Sequence, residues 1–182
     1  MKSISPLHKP VDDRSRCGWV KNDPVLIRYH DESWGVPPNN DDEAFEALTL
    51  EIFQAGLSWR TVLAKRGAFR QAFAGFRADE VARFDSSDVE RLLADAGIIR
   101  NRQKIEATIV NAQAVLDIQQ ETGSFLDWLN ALPAAPEAAF ARLRPHFRFF
   151  GRTTCDSFLE AIGKIPIQHE PGCWKADRGS NG

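Results

Sequence analysis

The sequence predicts an all-α protein made of many short helices rather than a long-helix bundle. Three observations carry this. From Asn40 onward, apolar residues recur at spacings of three and four almost throughout. Residues that start helices (Asn, Asp, Ser, Thr) and glycines that stop them follow one another at short intervals. No stretch alternates apolar and polar residues for long enough to make a strand. The 182 residues suit one domain with one sizeable core, expected to span 16–174 between flexible tails at 1–15 and 175–182.

Composition narrows the class. Hydrophobic content of 43% and charged content of 26% are ordinary for a globular chain. No apolar run approaches the roughly 20 residues of a membrane span, and the first 16 residues hold no apolar signal core. A soluble cytoplasmic protein with no membrane partner is expected. Three cysteines are an odd number and too few for a disulfide framework, which fits a reducing compartment. A net charge of −2 argues against a generic polyanion binder but leaves room for a local basic face.

Taken in order, the first 15 residues are polar, and His8 there reads as solvated. Arg16-Cys17-Gly18-Trp19 opens the folded part. Asp23-Pro24 can start a short helix, because proline in the first turn loses no hydrogen bond. Trp34-Gly35-Val36-Pro37-Pro38 then reads as an aromatic-anchored loop. The span 17–34 holds Cys17, Trp19, Tyr29, His30 and Trp34. These residues serve equally as core filler or as walls that stack on a base.

The next helix is capped by Asn40 or Asp41 and places Phe45, Leu48, Ile52 and Ala55 on one face. Glu51 sits beside that face, where an unpaired carboxylate is expensive to bury. Gly56 suits the position that ends this helix, Ser58 can cap the next, and Trp59 follows at once. One reading is an acid and an aromatic plane flanking a corner that holds a flat ring. The other is a surface glutamate beside a core tryptophan.

Short helices are expected over 58–66 and 68–73, separated by Gly67, and over 78–84 and 87–96. A long amphipathic helix follows over 101–121, stopped by Gly123, then a short one near Phe125–Leu129. Arg100, Arg102 and Lys104 form a weak basic cluster at the start of the long helix. A helix over 137–143, a turn over 144–152, and a helix capped by Thr153 or Thr154 make a helix–hairpin–helix. Residues 140–155 carry Arg142, Arg144, Arg148 and Arg152 and no acid. A glycine turn entering a helix start offers free N–H groups to phosphate, so Arg148, Gly151, Arg152 and Thr153 are candidates for gripping a DNA backbone. A solvated basic loop is the plain alternative.

His169 and Cys173, with three residues between them, have a spacing used by zinc ligands, with Pro171-Gly172 as the turn. Cys17 and His30 supply a second pair near the other end. Together they would form a closed set of four that leaves no open position for catalytic water, so a zinc there would be structural. It would tie the two ends of the chain together. Cys155 and His146 are left over, Cys155 as a buried thiol.

Several segments in order along the chain resemble the DNA-3-methyladenine glycosylase I family: Arg16-Cys17-Gly18-Trp19, Tyr29-His30-Asp31, Glu32-Ser33-Trp34-Gly35-Val36-Pro37, Gln54-Ala55-Gly56-Leu57-Ser58-Trp59, Asp95-Ala96-Gly97-Ile98-Ile99-Arg100, Phe149-Phe150-Gly151 and the His169/Cys173 pair. The matches run from Arg16 to Cys173. The resemblance implies the helix–hairpin–helix glycosylase fold and one structural zinc at Cys17, His30, His169 and Cys173. It implies Glu51 as the catalytic pocket carboxylate, a base pocket of Trp19, Tyr29, Trp34, Trp59 and Ser157, and monofunctional excision of 3-methyladenine from double-stranded alkylated DNA by a monomer. The chain departs from the family pattern at Leu26, Ile52, Phe53, Asp156 and residues 164–168. Those changes are expected to bear on pocket shape and base selectivity rather than on fold or metal. A zinc-stapled DNA-binding module, or a glycosylase with another lesion preference, is the competing reading. A zinc hydrolase or deaminase is disfavoured, because the four-ligand set is closed and the H-x-E…C-x-x-C pattern is missing.

Overall fold

A computed structural model describes residues 12–176. His8 and the ends of both expected tails lie outside them. Ten α-helices and no strand are found among the described residues. Of the expected N-terminal tail, Ser15 is tied down through its C=O, which accepts from the Trp174 N–H at 2.9 Å.

The centre of the architecture is α2 (Asp41–Gln54), capped by the Asn40 side chain on the Glu43 N–H at 2.9 Å. Phe45, Leu48, Ile52 and Phe53 are fully buried, so this helix is apolar around most of its circumference. Three polar devices fix it. At its start, the Asp41 carboxylate accepts from the N–H groups of Phe125 (2.9 Å) and Leu126 (2.8 Å), capping α8 (Phe125–Asn130) from outside. In its middle, buried Glu46 is gripped by Arg66 and Arg70, both on α4 (Arg66–Ala72). At its end, Lys104 of α7 (Arg102–Thr122) gives its Nζ protons to the carbonyls of Phe53 (3.1 Å) and Ala55 (2.7 Å). A cation at a helix C-terminus is favourable. This is the fate of the weak basic cluster: Lys104 turns inward, and Arg102 pairs with Glu90.

The remaining elements enclose this helix. α1 (Pro24–Glu32) is capped by Asp23 and packs on α3 (Trp59–Leu63), itself capped by Ser58. α5 (Ala78–Val81) and α6 (Ser86–Ala94) lie against α7. α9 (Pro136–Leu143) and α10 (Arg152–Ala161) form the two arms of the hairpin, and α10 packs on α2. The main core joins α2, α4, α7 and α10. A smaller cluster of Cys17, Val20, Leu26, Tyr29, Leu63 and Cys173 joins the two ends of the chain.

Boundaries differ from expectation in four places, one being α6, which ends at Ala94 rather than Ala96. The break between α3 and α4 falls at Ala64-Lys65, where the Lys65 N–H bonds back to the Val62 carbonyl and tightens the turn, so Gly67 lies inside α4. α5 stops at Val81 rather than Phe84. α10 begins after Gly151, and Thr153 and Thr154 sit in its first turn without capping it. Gly163, at φ 68°, has no room for a side chain: a Cβ there would lie 2.6 Å from the Gly35 carbonyl oxygen. The Gly35 N–H in turn bonds to the Ala161 carbonyl. The 34–38 loop is thereby laid against the end of α10.

Candidate active site and metal centre

Cys17 precedes a short 3-10 turn, His30 lies on α1, and His169 and Cys173 flank a turn after α10. Their ligand atoms all fall within 4.8 Å of one another. Cys17 Sγ is 3.5 Å from His169 Nδ1, Cys173 Sγ is 3.4 Å from His30 Nε2, and Cys173 Sγ is 3.7 Å from His169 Nδ1. Bonds of about 2.0–2.3 Å to a tetrahedral ion would set such atoms about 3.3–3.8 Å apart. The cluster therefore fits a single metal ion. The other nitrogen of His30, Nδ1, lies 2.8 Å from Asp31 Oδ1. Asp31 is anchored by the Arg16 guanidinium (2.6 Å) and by the Trp174 indole N–H (3.2 Å). A carboxylate behind a ligating histidine fixes its ring and its tautomer.

Three of the four members of this cluster adjoin an aromatic residue of a nearby cavity. Trp19 is two residues from Cys17, Tyr29 precedes His30, and Trp34 meets His169 edge-on at 5.1 Å. Trp19, Tyr29, Trp34, Glu51, Trp59, Ser157 and Glu160 surround a space of about 210 Å³. Trp19 and Trp34 stand at right angles, with centroids 5.3 Å apart. Tyr29 and Trp59 are 5.1 Å apart. All six residues that the sequence assigned to a pocket are thus brought to one cavity.

Glu51 rises into this cavity from α2 and is only 2% exposed. Burial, reinforced by the charge of Glu160, pushes its carboxyl up to about 8. The acid is therefore largely protonated in the empty pocket at neutral pH. Tyr29 is 8% exposed, and its hydroxyl has no hydrogen-bond partner. Burial, with the charge of Glu51 as a smaller cause, pushes its phenol upward. A buried, unpartnered hydroxyl beside a buried, unpaired acid is costly for folding and leaves two polar groups free for a ligand.

Residues where the chain departs from the family pattern lie elsewhere. Ile52 and Phe53 are fully buried, and Phe53 packs on Phe69 at 4.7 Å. Leu26 sits in the smaller core cluster. Asp156 pairs with Arg152 at 2.9 Å, and Lys164 donates to the Asn130 carbonyl at 2.7 Å. None of these lines the cavity; they lie in the core and at the periphery.

Glu160 is the cavity residue that the sequence reading missed. It lies three residues after Ser157 on α10, one helical turn along the same face, and that spacing was the available signal.

The hairpin between α9 and α10 is pinned by Asn111 of α7. Its Oδ1 accepts from the Arg148 N–H at 2.7 Å, and its Nδ2 donates to the Arg148 carbonyl at 3.2 Å. Arg148, Gly151, Arg152 and Thr153 are all exposed at the mouth of α10. Arg152 is engaged by Glu137 (3.0 Å) and Asp156 (2.9 Å), acids that flank the acid-free span 140–155. No described helix is long and apolar enough to cross a membrane.

The sequence model of the methyladenine glycosylase family matches residues 19–139. DNA-3-methyladenine glycosylase 1 of Escherichia coli K12 is 42% identical over 178 residues, covering 87% of this chain and 95% of that protein. A crystal structure of 3-methyladenine DNA glycosylase I superposes with a TM-score of 0.79 at 39% identity, over 88% of this chain and 98% of that one. A Staphylococcus aureus structure described as the basis of 3-methyladenine recognition gives 0.78 at 30% identity, over 92% and 97%.

Proposed function

The chain belongs to the methyladenine glycosylase family, and from that premise we propose how its own residues excise 3-methyladenine from alkylated DNA. The observation that carries the reading is the aromatic-walled cavity with an unpaired, buried Glu51 at its base.

Methylation at N3 makes adenine cationic, so the glycosidic bond is already weak and the base leaves without being protonated. The enzyme must turn the nucleotide out of the stack and hold the base. Trp19, Trp34, Tyr29 and Trp59 offer π faces that favour a cationic ring. Glu51 gives up its proton when the cation arrives, because a positive charge nearby restores the carboxylate. The carboxylate then accepts from the adenine edge and stabilises the developing charge on the sugar. The Tyr29 hydroxyl and Ser157 supply further hydrogen bonds. Water completes the hydrolysis.

No lysine lines the cavity among the described residues, and the buried lysine, Lys104, is spent on helix carbonyls. This supports a monofunctional enzyme that leaves the strand intact. Arg148, Gly151 and Thr153, with Arg152 freed from its acids by competition, are assigned to the backbone of double-stranded DNA. Cys17, His30, His169 and Cys173 would hold one zinc as a structural tie, which matches a Cys₂His₂ donor set. Three cysteines outside any disulfide, two of them in this set, fit the reducing cytoplasm, where the chain is proposed to work as a monomer.

Single-turnover excision by Glu51→Gln and Trp59→Ala tests the assignment. Both variants should fall by at least about a hundredfold while binding undamaged duplex as the wild type does. Wild-type rates in both would sink it.

A further inference from the structure

Two acids face the cavity, and they differ in setting. Glu51 is 2% exposed and enters from α2. Glu160 is half-buried and enters from α10, the helix that carries Ser157. Both border the same space with Tyr29, whose buried hydroxyl has no partner. The other acid on that side of α10, Asp156, is paired with Arg152, and burial, with the remaining charge of Asp156 as a smaller cause, raises the Glu160 carboxyl. Glu160 has no ion pair or side-chain hydrogen bond among the described residues. An unpaired carboxylate in the wall of an aromatic cavity repels nothing that is neutral and attracts what is cationic.

We infer that Glu160 is a specificity-determining residue, a second pocket carboxylate that selects cationic bases over neutral bases of the same shape. The inference rests on the base-pocket reading above and deepens it. The two acids divide the work. Two like charges in one low-dielectric space cannot both ionise freely, so one keeps its charge and the other its proton. Glu160, the more hydrated of the two, holds the standing negative charge, while Glu51 stays protonated until a cation is bound. A neutral adenine meets one charged acid with nothing to offset it. A methylated, cationic adenine offsets the charge of Glu160 and favours ionisation of Glu51, whose proton leaves to solvent. The discrimination thus comes from charge, and the aromatic walls need not distinguish the two rings by shape.

The test is a pair of titrations at pH 7.5, read by quenching of the pocket tryptophans. One ligand is 3,9-dimethyladeninium, a cation at this pH. The other is 3-methyladenine as its neutral free base. The wild type should prefer the cation. In Glu160→Gln, which keeps size and shape, cation affinity should fall roughly tenfold while neutral-base affinity stays within about twofold. Glu160→Lys, reversing the charge at the same half-exposed position, should lower cation affinity further. Equal changes for both ligands, or an unchanged ratio, would overturn the inference and leave the excision reading standing. Unfolding of both variants, seen by melting, would make Glu160 structural and overturn it too. Folded wild type that binds neither base would defeat the pocket reading itself.

Discussion

Glu51→Gln should stabilise the protein progressively as pH rises. Glu51 has an ordinary value of 4.5 and is pushed to about 8 by burial and by Glu160. The folded state therefore holds this proton more tightly than the unfolded state does. For an acid shifted upward, nothing is lost below pH 4.5, and folding stability declines as pH climbs from there to about 8. At about 1.4 kcal/mol per pH unit, the penalty reaches about 3 kcal/mol at pH 7 and levels off near about 5 kcal/mol. These are upper bounds, since water entering the cavity would hydrate the charge. Gln cannot ionise and escapes the penalty. Its buried amide adds a cost of about 1–3 kcal/mol for missing hydrogen bonds, but that cost does not vary with pH. The diagnostic is thus a slope. Guanidinium unfolding of both proteins from pH 5 to 8.5, followed by tryptophan emission, should show the variant gaining on the wild type by up to about 1.4 kcal/mol per unit. Ionisable groups remote from Glu51, including the metal cluster, are common to both proteins and cancel; Glu160 is coupled to Glu51, so the comparison is repeated in a Glu160→Gln background. Parallel pH curves would mean that Glu51 is hydrated or paired in solution, and the account of it as a strained functional acid would fail.

Four further outcomes follow from particular contacts. Chelation, or Cys173→Ala, should remove one zinc per chain, lower the melting temperature by ten degrees or more, and weaken base binding, because Trp19, Tyr29 and Trp34 are positioned by the ligand segments; unchanged melting after verified zinc loss would contradict the staple. Tyr29→Phe deletes a buried hydroxyl with no partner, so it should leave stability within about 0.5 kcal/mol of the wild type or raise it, while base affinity falls; equilibrium unfolding and ligand titration would separate these. Asn111→Ala removes both bonds to the Arg148 backbone and should cost about 2–3 kcal/mol in denaturant unfolding along with a loss of DNA affinity. Arg148→Ala should reduce the salt slope of DNA binding by close to about one counterion, and Arg152→Ala by less, since Glu137 and Asp156 already hold that guanidinium.

Much of the fold was legible from local chemistry. Asn40, Ser58, Asn101 and Gly123 mark helix ends at the expected positions because capping is a matter of a few adjacent residues. The α3–α4 break was misplaced because Gly67 is a weaker signal than the tightened turn at Lys65, whose side chain reaches the Ala96 and Gly97 carbonyls thirty residues away. Long-range polar partners were invisible for the same reason. Nothing near Asp41 announces that it caps α8, and nothing near Lys104 announces that it closes α2. The four candidate metal-ligand positions were visible in their spacing, whereas the pocket residues were assigned largely through resemblance, since the aromatic cluster alone left a core reading of Trp19, Tyr29 and Trp34 open. Glu160 escaped because a glutamate on a helix face is ordinary until the structure sets it opposite Glu51.

The excision claim is tested most directly by incubating purified wild-type protein with methylated duplex DNA and identifying the released bases chromatographically. Release of 3-methyladenine, with strands that break only after alkali, is the predicted result. Folded, DNA-binding protein that releases no base, or that nicks the strand unaided, would contradict it.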